Sequence, residues 1–168
     1  FIADILDYSL NTRTGLAHER INFESLINSS WEDLKYMDLN YKPKLTLDIN
    51  QTVDFLSDPK RISIILNNLI SNAFKYHDKN KKNHFLNIFI AVDDKNVKID
   101  IEDNGIGIKE EYIDKIFDMF HRATTLSTGS GMGLYIVKET IEKLKGSIHV
   151  TSELEKGTKF SIKLPNSL

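Results

Sequence analysis

Hydrophobic and polar residues recur along this chain with two periods, and the switches between them mark its elements. Residues 1 to about 16 place Ile2, Ile5, Leu6 and Leu10 at helical spacing, closed by Thr14-Gly15. That stripe has no evident partner in the sequence, so it is expected to be the end of a longer helix from a neighbouring domain. A strand is expected to start within Ile21 to Leu26, and a helix is expected over Leu26 to Met37 around Trp31 and Leu34. Leu45, Leu47 and Ile49 alternate with polar residues, as in a half-buried strand. Asp58-Pro59 then opens a long helix to about Tyr76, with Asp as N-cap and Pro at the first helical position.

The strand period returns at Leu86, Ile88, Ile90 and Val92. After a turn at Asp93-Asp94-Lys95-Asn96 it continues through Val97, Ile99 and Ile101. A short helix is expected to hold Tyr112, Ile113 and Ile116, ahead of an irregular stretch to Gly131. Within that stretch, Asp118 to Ser130 has the length and polarity of a lid. A helix from Met132 to Lys145 is expected to stop at Gly146. The last hairpin pairs Ile148 and Val150 with Phe160, Ile162 and Leu164 across a turn containing Gly157. One apolar and one wet sheet face require helices on one side only. The expected fold is α+β: a two-layer α/β sandwich with a mixed, mostly antiparallel sheet and helices on one face.

Composition excludes several functions. A chain of 168 residues with 40% hydrophobic content has material for one good core and a short extension. Its net charge of −2 provides no basic field for nucleic acid or anionic lipid. Lys79, Lys81 and Lys82 cluster locally, but Asp78, Asn80 and Asn83 interleave with them, and the stretch reads as a solvated loop. The absence of cysteine excludes disulfides and thiolate metal sites. No two histidines stand at metal-ligand spacing. No apolar run approaches a membrane span, so this segment is not expected to be membrane-inserted. Its expected location is cytoplasmic, with any membrane anchor of the parent protein outside the segment.

Three constellations carry candidate chemistry. On the long helix, Ile62, Ile65, Leu66, Leu69 and Ala73 form the stripe expected to face the sheet, while Asn68, Asn72 and Lys75 share the opposite flank. The Asn72 amide oxygen is a hard neutral ligand suited to Mg²⁺ held mainly by phosphate oxygens, and Lys75 would add a point charge near them. The alternative is an exposed polar helix face. Next, Asp103-Asn-Gly105-Ile-Gly107 delivers a carboxylate at a strand's end before a glycine turn. Such a carboxylate accepts from the exocyclic amine of adenine, whereas guanine would present an acceptor. The alternative is a plain β-turn. Finally, Gly129-Ser130-Gly131-Met132-Gly133-Leu134 precedes a helix, where exposed N–H groups and a positive helix terminus cradle phosphate. The spacing matches neither a Walker A loop nor a dinucleotide fingerprint. Arg122 nearby could reach a phosphate or lie on the surface, and His121 is expected to be incidental.

In this order the elements resemble the histidine-kinase branch of the gyrase, heat-shock-chaperone, histidine-kinase and MutL ATPase superfamily, whose architecture is the Bergerat fold. Asn68-Leu-Ile-Ser-Asn72-Ala-Phe-Lys75-Tyr76 resembles its N box, and Asp103 to Gly107 its G1 box. Ile116-Phe117-Asp-Met-Phe120 resembles the F box, Gly129 to Leu134 the G2 box, and Gly157-Thr158-Lys-Phe160 the final glycine motif. The likeness spans about residues 22 to 165; Met132 stands where Leu is more typical. The resemblance implies that Asn72 chelates Mg²⁺, Asp103 contacts adenine, and Gly105 and Gly107 line the base pocket. It implies that Lys75, Arg122 and the backbone from Gly129 to Gly133 meet the phosphates, with Ser130, Met132 and Leu134 in the same box. Tyr76 would pack on ribose or base, and the Thr158 hydroxyl would support the Asp103 end.

Position 68 separates the branches. Relatives that hydrolyse ATP carry Glu there as a general base for water, whereas Asn68 cannot accept a proton at neutral pH. A histidine acceptor already offers a lone pair, so the expected reaction is phosphoryl transfer from ATP to histidine, with Asn68, Lys75 and Arg122 as the catalytic set. His18-Glu19 resembles the acceptor motif only superficially, because no Thr-Pro follows; the acceptor is expected upstream, on a dimerisation domain absent from this chain. Residues 1–20 are read as the end of the dimerisation helix and its linker, and 21–168 as the catalytic domain. Expected partners are the protein's own dimerisation and histidine-phosphotransfer domain, as a homodimer in the full-length protein, and a response-regulator receiver domain. One other reading stays open, a non-catalytic ATP-binding module whose lid recruits a partner; a relative of the serine-kinase anti-sigma factors is disfavoured by the N-terminal helix, since those proteins lack a preceding dimerisation hairpin.

Overall fold

The computed structural model describes residues 2–13, 15–36, 41–121 and 130–167. Among these residues, five helices and seven strands follow in the order α1 (Ile2–Arg13), β1 (Glu19–Arg20), α2 (Phe23–Leu34), β2 (Lys44–Gln51), β3 (Leu56–Ser57), α3 (Pro59–Lys75), β4 (Phe85–Val92), β5 (Asn96–Asp103), α4 (Glu110–Ile113), α5 (Gly133–Lys143), β6 (Ser147–Glu153) and β7 (Gly157–Pro165). The main sheet has the order β2-β4-β5-β7-β6, with β2 and β4 parallel and every other pair antiparallel. This is the mixed, mostly antiparallel open sheet that the alternation predicts.

Strand period decides which face is covered. Leu86, Ile88 and Ile90 of β4, Val97, Ile99 and Ile101 of β5, and Phe160, Ile162 and Leu164 of β7 all lie buried on one face. Ile62, Ile65, Leu66, Leu69 and Ala73 of α3 meet them in the same core. Phe89, Lys98, Glu102 and Lys163 stand exposed on the other face. Burying this apolar set removes on the order of 1.5–3 kcal/mol of exposure penalty per large side chain. Asp103 has the parity of Val97, Ile99 and Ile101, so the strand ends by delivering a carboxylate to the helix-covered face.

Three local expectations are corrected. The strand expected in Ile21–Leu26 is replaced by the two residues of β1, paired with β3, because the Asn22 side chain accepts from the Ser25 amide at 2.9 Å and starts α2 at Phe23. The expected helix containing Ile116 ends at Ile113, and Ile116 is buried in the turns that follow. The residue in left-handed conformation after α5 is Lys145, at φ 60°, rather than Gly146. Gly146 is needed for space, since a Cβ there would stand 2.5 Å from the Lys163 carbonyl oxygen. The stripe of α1 stays exposed at Ile5 and Leu6, as expected, but another side of the helix does find a partner in the chain. It packs on α5, where Tyr8 and Tyr135 rings lie 6.3 Å apart and Lys143 Nζ donates to the Asn11 carbonyl.

A buried ion pair fastens that end of the molecule. Arg61 in the first turn of α3 donates to Asp58 Oδ2 at 2.5 Å, both side chains being almost inaccessible. The same guanidinium reaches Asn11 Oδ1 and the Gly15 carbonyl, while the Ala17 amide donates to Asp58 Oδ2. Asp58 is therefore N-cap, ion-pair partner and linker anchor together.

Candidate active site

The cavity begins where α3 ends. The Tyr76 carbonyl accepts from the Ile106 amide at 2.9 Å, drawing the turn after β5 against the helix terminus. This approach leaves no room for a side chain at Gly105, whose Cβ would lie 2.4 Å from the Tyr76 oxygen. Gly107 adopts φ +68° and a Cβ there would meet the Glu153 carbonyl at 2.0 Å, so the same turn is also pressed against the β6–β7 hairpin. Between these walls lies a cavity of about 700 Å³, within the usual range for a small-molecule site.

Asn72, Tyr76, Asp103, Gly107, Leu134 and Thr158 of the sequence-derived set line this cavity together. Asp103 is its electrostatic centre. Burial pushes the carboxyl up to about 6, even though the amides of Gly105 and Thr158 donate to it and Lys81 lies close enough to counter the rise. The Gly105 amide reaches Oδ1 at 2.8 Å. A carboxylate held in an apolar wall with spare acceptor capacity is suited to a ligand donor. Thr158 stands opposite Asp103 across the β5–β7 ladder, and its hydroxyl pairs with Ser152 Oγ at 2.8 Å.

The remaining residues lie beside the cavity. The Asn68 amide nitrogen donates to the Ile64 carbonyl at 2.9 Å, and a Cβ on Gly133 would stand 2.8 Å from Asn68 Oδ1. Asn68 thus marks the junction of α3 with the start of α5. There Met132 caps the helix without a side-chain hydrogen bond, which leaves the first-turn amides open to an anion. The Met132 amide itself donates to Ser130 Oγ at 3.1 Å. Gly131, at φ +73°, accepts from the Phe120 amide at 3.0 Å, so the two ends of the intervening segment are tied together. Lys75 is exposed and outside the cavity wall. Arg122 and Gly129, with most of the expected lid, lie outside the described residues.

Several wall residues had no sequence signal. Asp78 and Asn80 come from the loop after α3, and Lys109 and Glu155 from the two turns that flank Gly107. His121, expected to be incidental, also lines the cavity, and its Nε2 is buried without a hydrogen-bond partner among the described residues. Its neighbourhood to Phe120 in the F box was the available clue.

An open mixed sheet, a carboxylate at the end of its central strand and an anion-ready helix terminus define one class of nucleotide-binding protein. The chain belongs to that class: the family described as "Histidine kinase-, DNA gyrase B-, and HSP90-like ATPase" matches residues 57–168. Its relatives are sensor kinases, and within the family it is a histidine-kinase-type ATP-binding domain. "Sensor protein RprX" of Bacteroides fragilis is 39% identical over 74% of this chain and 25% of its own length. "Autoinducer 2 sensor kinase/phosphatase LuxQ" of Vibrio vulnificus is 32% identical over 96% of this chain and 20% of its own. The chain therefore spans only a quarter or less of these relatives. Among solved structures, the Acinetobacter baumannii histidine kinase AdeS superposes with a TM-score of 0.72 at 28% identity, covering 99% of this chain and 77% of that one. Full-length ShkA in complex with AMPPNP gives a TM-score of 0.78 at 23% identity over 98% of this chain and 35% of that one, a likeness of fold.

Proposed function

We propose that this domain binds ATP with Mg²⁺ and transfers the γ-phosphoryl group to a histidine on a dimerisation domain outside the chain. The observation that carries the reading is the shared cavity: Asp103 at one wall and Asn72 at another, 31 positions apart in sequence, face the same space. Asp103 would accept the adenine amine, Gly105 and Gly107 would let the base approach the backbone, and Tyr76 and Leu134 would flank it. The open amides at the start of α5, with Ser130 to Gly133, would hold phosphate oxygens. Among the described residues no group of three or more His, Asp or Glu side chains could hold a metal, so Asn72 would share the ion with the nucleotide. Bound Mg²⁺ would neutralise charge on the transferring phosphoryl group.

Asn68 supports transfer to histidine over hydrolysis. Its amide nitrogen donates to the Ile64 carbonyl, and the amide has no basic lone pair with which to activate water. Residues 1–20 are assigned to the end of the dimerisation helix and its linker. The assigned partners are that domain's dimer in the full-length protein and a response-regulator receiver. No helix among the described residues is long and apolar enough to cross a membrane.

The test is calorimetric binding of ATP and GTP with and without Mg²⁺, followed by labelled-phosphate transfer to a separately supplied dimerisation domain. ATP is expected to bind at least tenfold more tightly than GTP, and Asn72→Ala to remove the Mg²⁺ dependence. Equal affinity for the two purines would remove Asp103 from its assigned role. ATP binding without transfer would favour a non-catalytic module.

A further inference from the structure

The lysine-rich loop after α3 reads in sequence as solvated, yet one of its lysines is not free. Lys81 Nζ donates to the Asn104 carbonyl at 2.8 Å and to the Gly105 and Lys156 carbonyls at 3.3 Å each. An ammonium has three protons in roughly tetrahedral array, and here each finds a backbone oxygen. Two of those oxygens belong to the turn that follows Asp103, and the third to the turn of the β6–β7 hairpin. Asn104 completes the joint from the other side: its Oδ1 accepts from the Phe85 amide and its Nδ2 donates to the Asn83 carbonyl. Three segments that share no ladder at this point are thus closed around one cation, just behind the cavity wall.

We infer that Lys81 is a positioning residue for nucleotide recognition, fixing the turn that presents Asp103 and keeping that carboxylate ionised for the adenine amine. This rests on the assignment of Asp103 as the adenine contact. The groups facing Asp103 support the electrostatic half. Burial and Glu102 on its own strand disfavour its negative charge, and Lys81 is the cation that opposes them. Asp78 and Glu155, which line the same cavity, add further negative charge. Lys159, on β7, is turned to the opposite face of the sheet, where it pairs with Asp100. Lys109 and His121 line the cavity as well, but Lys81 is the cation whose charge acts on Asp103; without it, burial and like charge would meet less opposition and the carboxyl would protonate at a higher pH.

The experiment measures ATP and GTP affinity from pH 5 to 8 for the whole chain and its Lys81→Met and Lys81→Arg variants. In the wild type, ATP affinity is expected to fall as pH drops through about 6, the value to which burial pushes Asp103. Lys81→Met should move that midpoint up by about half a pH unit or more and lower the preference for ATP several-fold at neutral pH. Lys81→Arg keeps the charge and should leave the midpoint near its original place. A Lys81→Met protein with the wild-type midpoint and purine preference overturns the inference, as does an arginine variant that behaves like the methionine one. Circular dichroism reports folding; should Lys81→Met not fold, Lys81→Gln supplies the same comparison. A wild type that does not distinguish the purines refutes the Asp103 assignment instead, which separates the two failures.

Discussion

Asp58 begins α3 and Asp103 lies against its end, and the fold treats these two carboxylates, one buried and one half-buried, in opposite ways. Burial pushes Asp58 up, but the amides of Ala17 and Arg61 and the Arg61 guanidinium outweigh it and hold the group below its ordinary value. Burial also pushes Asp103 up, and there the two amides and the more distant Lys81 fall short, leaving it near 6. The first carboxylate has spent its acceptor capacity on the protein. The second keeps part of it unspent, at some expense in stability, which is the usual signature of a group reserved for a ligand.

The sharpest way to break the comparison is to remove each acid. Asp58→Ala leaves Arg61 buried without its counter-ion and is expected to destabilise the domain by about 3–5 kcal/mol, lowering Tm by roughly 10 °C in a thermal melt. Asp103→Asn is expected to do the reverse. Without ligand its Tm should rise by a few degrees, since a poorly solvated charge is gone, while ATP affinity falls about 100-fold in calorimetry, because the Gly105 and Thr158 amides claim the Asn carbonyl oxygen and leave its NH2, a donor, facing the adenine amine. A lower Tm for Asp103→Asn would erase the contrast.

Acid titration sharpens it further. The Asp103 carboxyl is raised in the folded state, so its charge weakens stability above pH 6 and that penalty is relieved as pH falls from about 6 towards 4. Asp58 is depressed, so its contribution is complete above about pH 4 and is lost only as pH falls below that. Between pH 6 and 5, ATP affinity should therefore drop by roughly fivefold while the ligand-free fold holds or gains stability. Simultaneous loss of both would mean that one event, such as unfolding, controls them. The smallest effect is expected at His18, which lines a small hollow beside Asp58. His18→Ala in the full-length kinase should leave autophosphorylation unchanged, and loss of phosphate labelling would reassign the acceptor.

What the sequence determined by itself is local or periodic. The parity of Val97, Ile99, Ile101 and Asp103 is a property of a strand, so the face receiving the carboxylate was readable before any contact was known. The same holds for the Asp58 cap and for the spacing of Asn68 and Asn72 on α3. Gly105 and Gly107 were legible as close-approach positions, though not what approaches them. Tertiary structure decided the rest, because those features depend on groups distant along the chain. Lys81 meets carbonyls 23, 24 and 75 residues away, and Arg61 meets Asn11 across 50. His121 enters the wall only because the chain folds back on α5, and α1 gains a partner only because α5 lies beside it. Backbone carbonyls are present at every residue and carry no sequence signature. A lysine that binds three of them is therefore indistinguishable, on the page, from one that binds water.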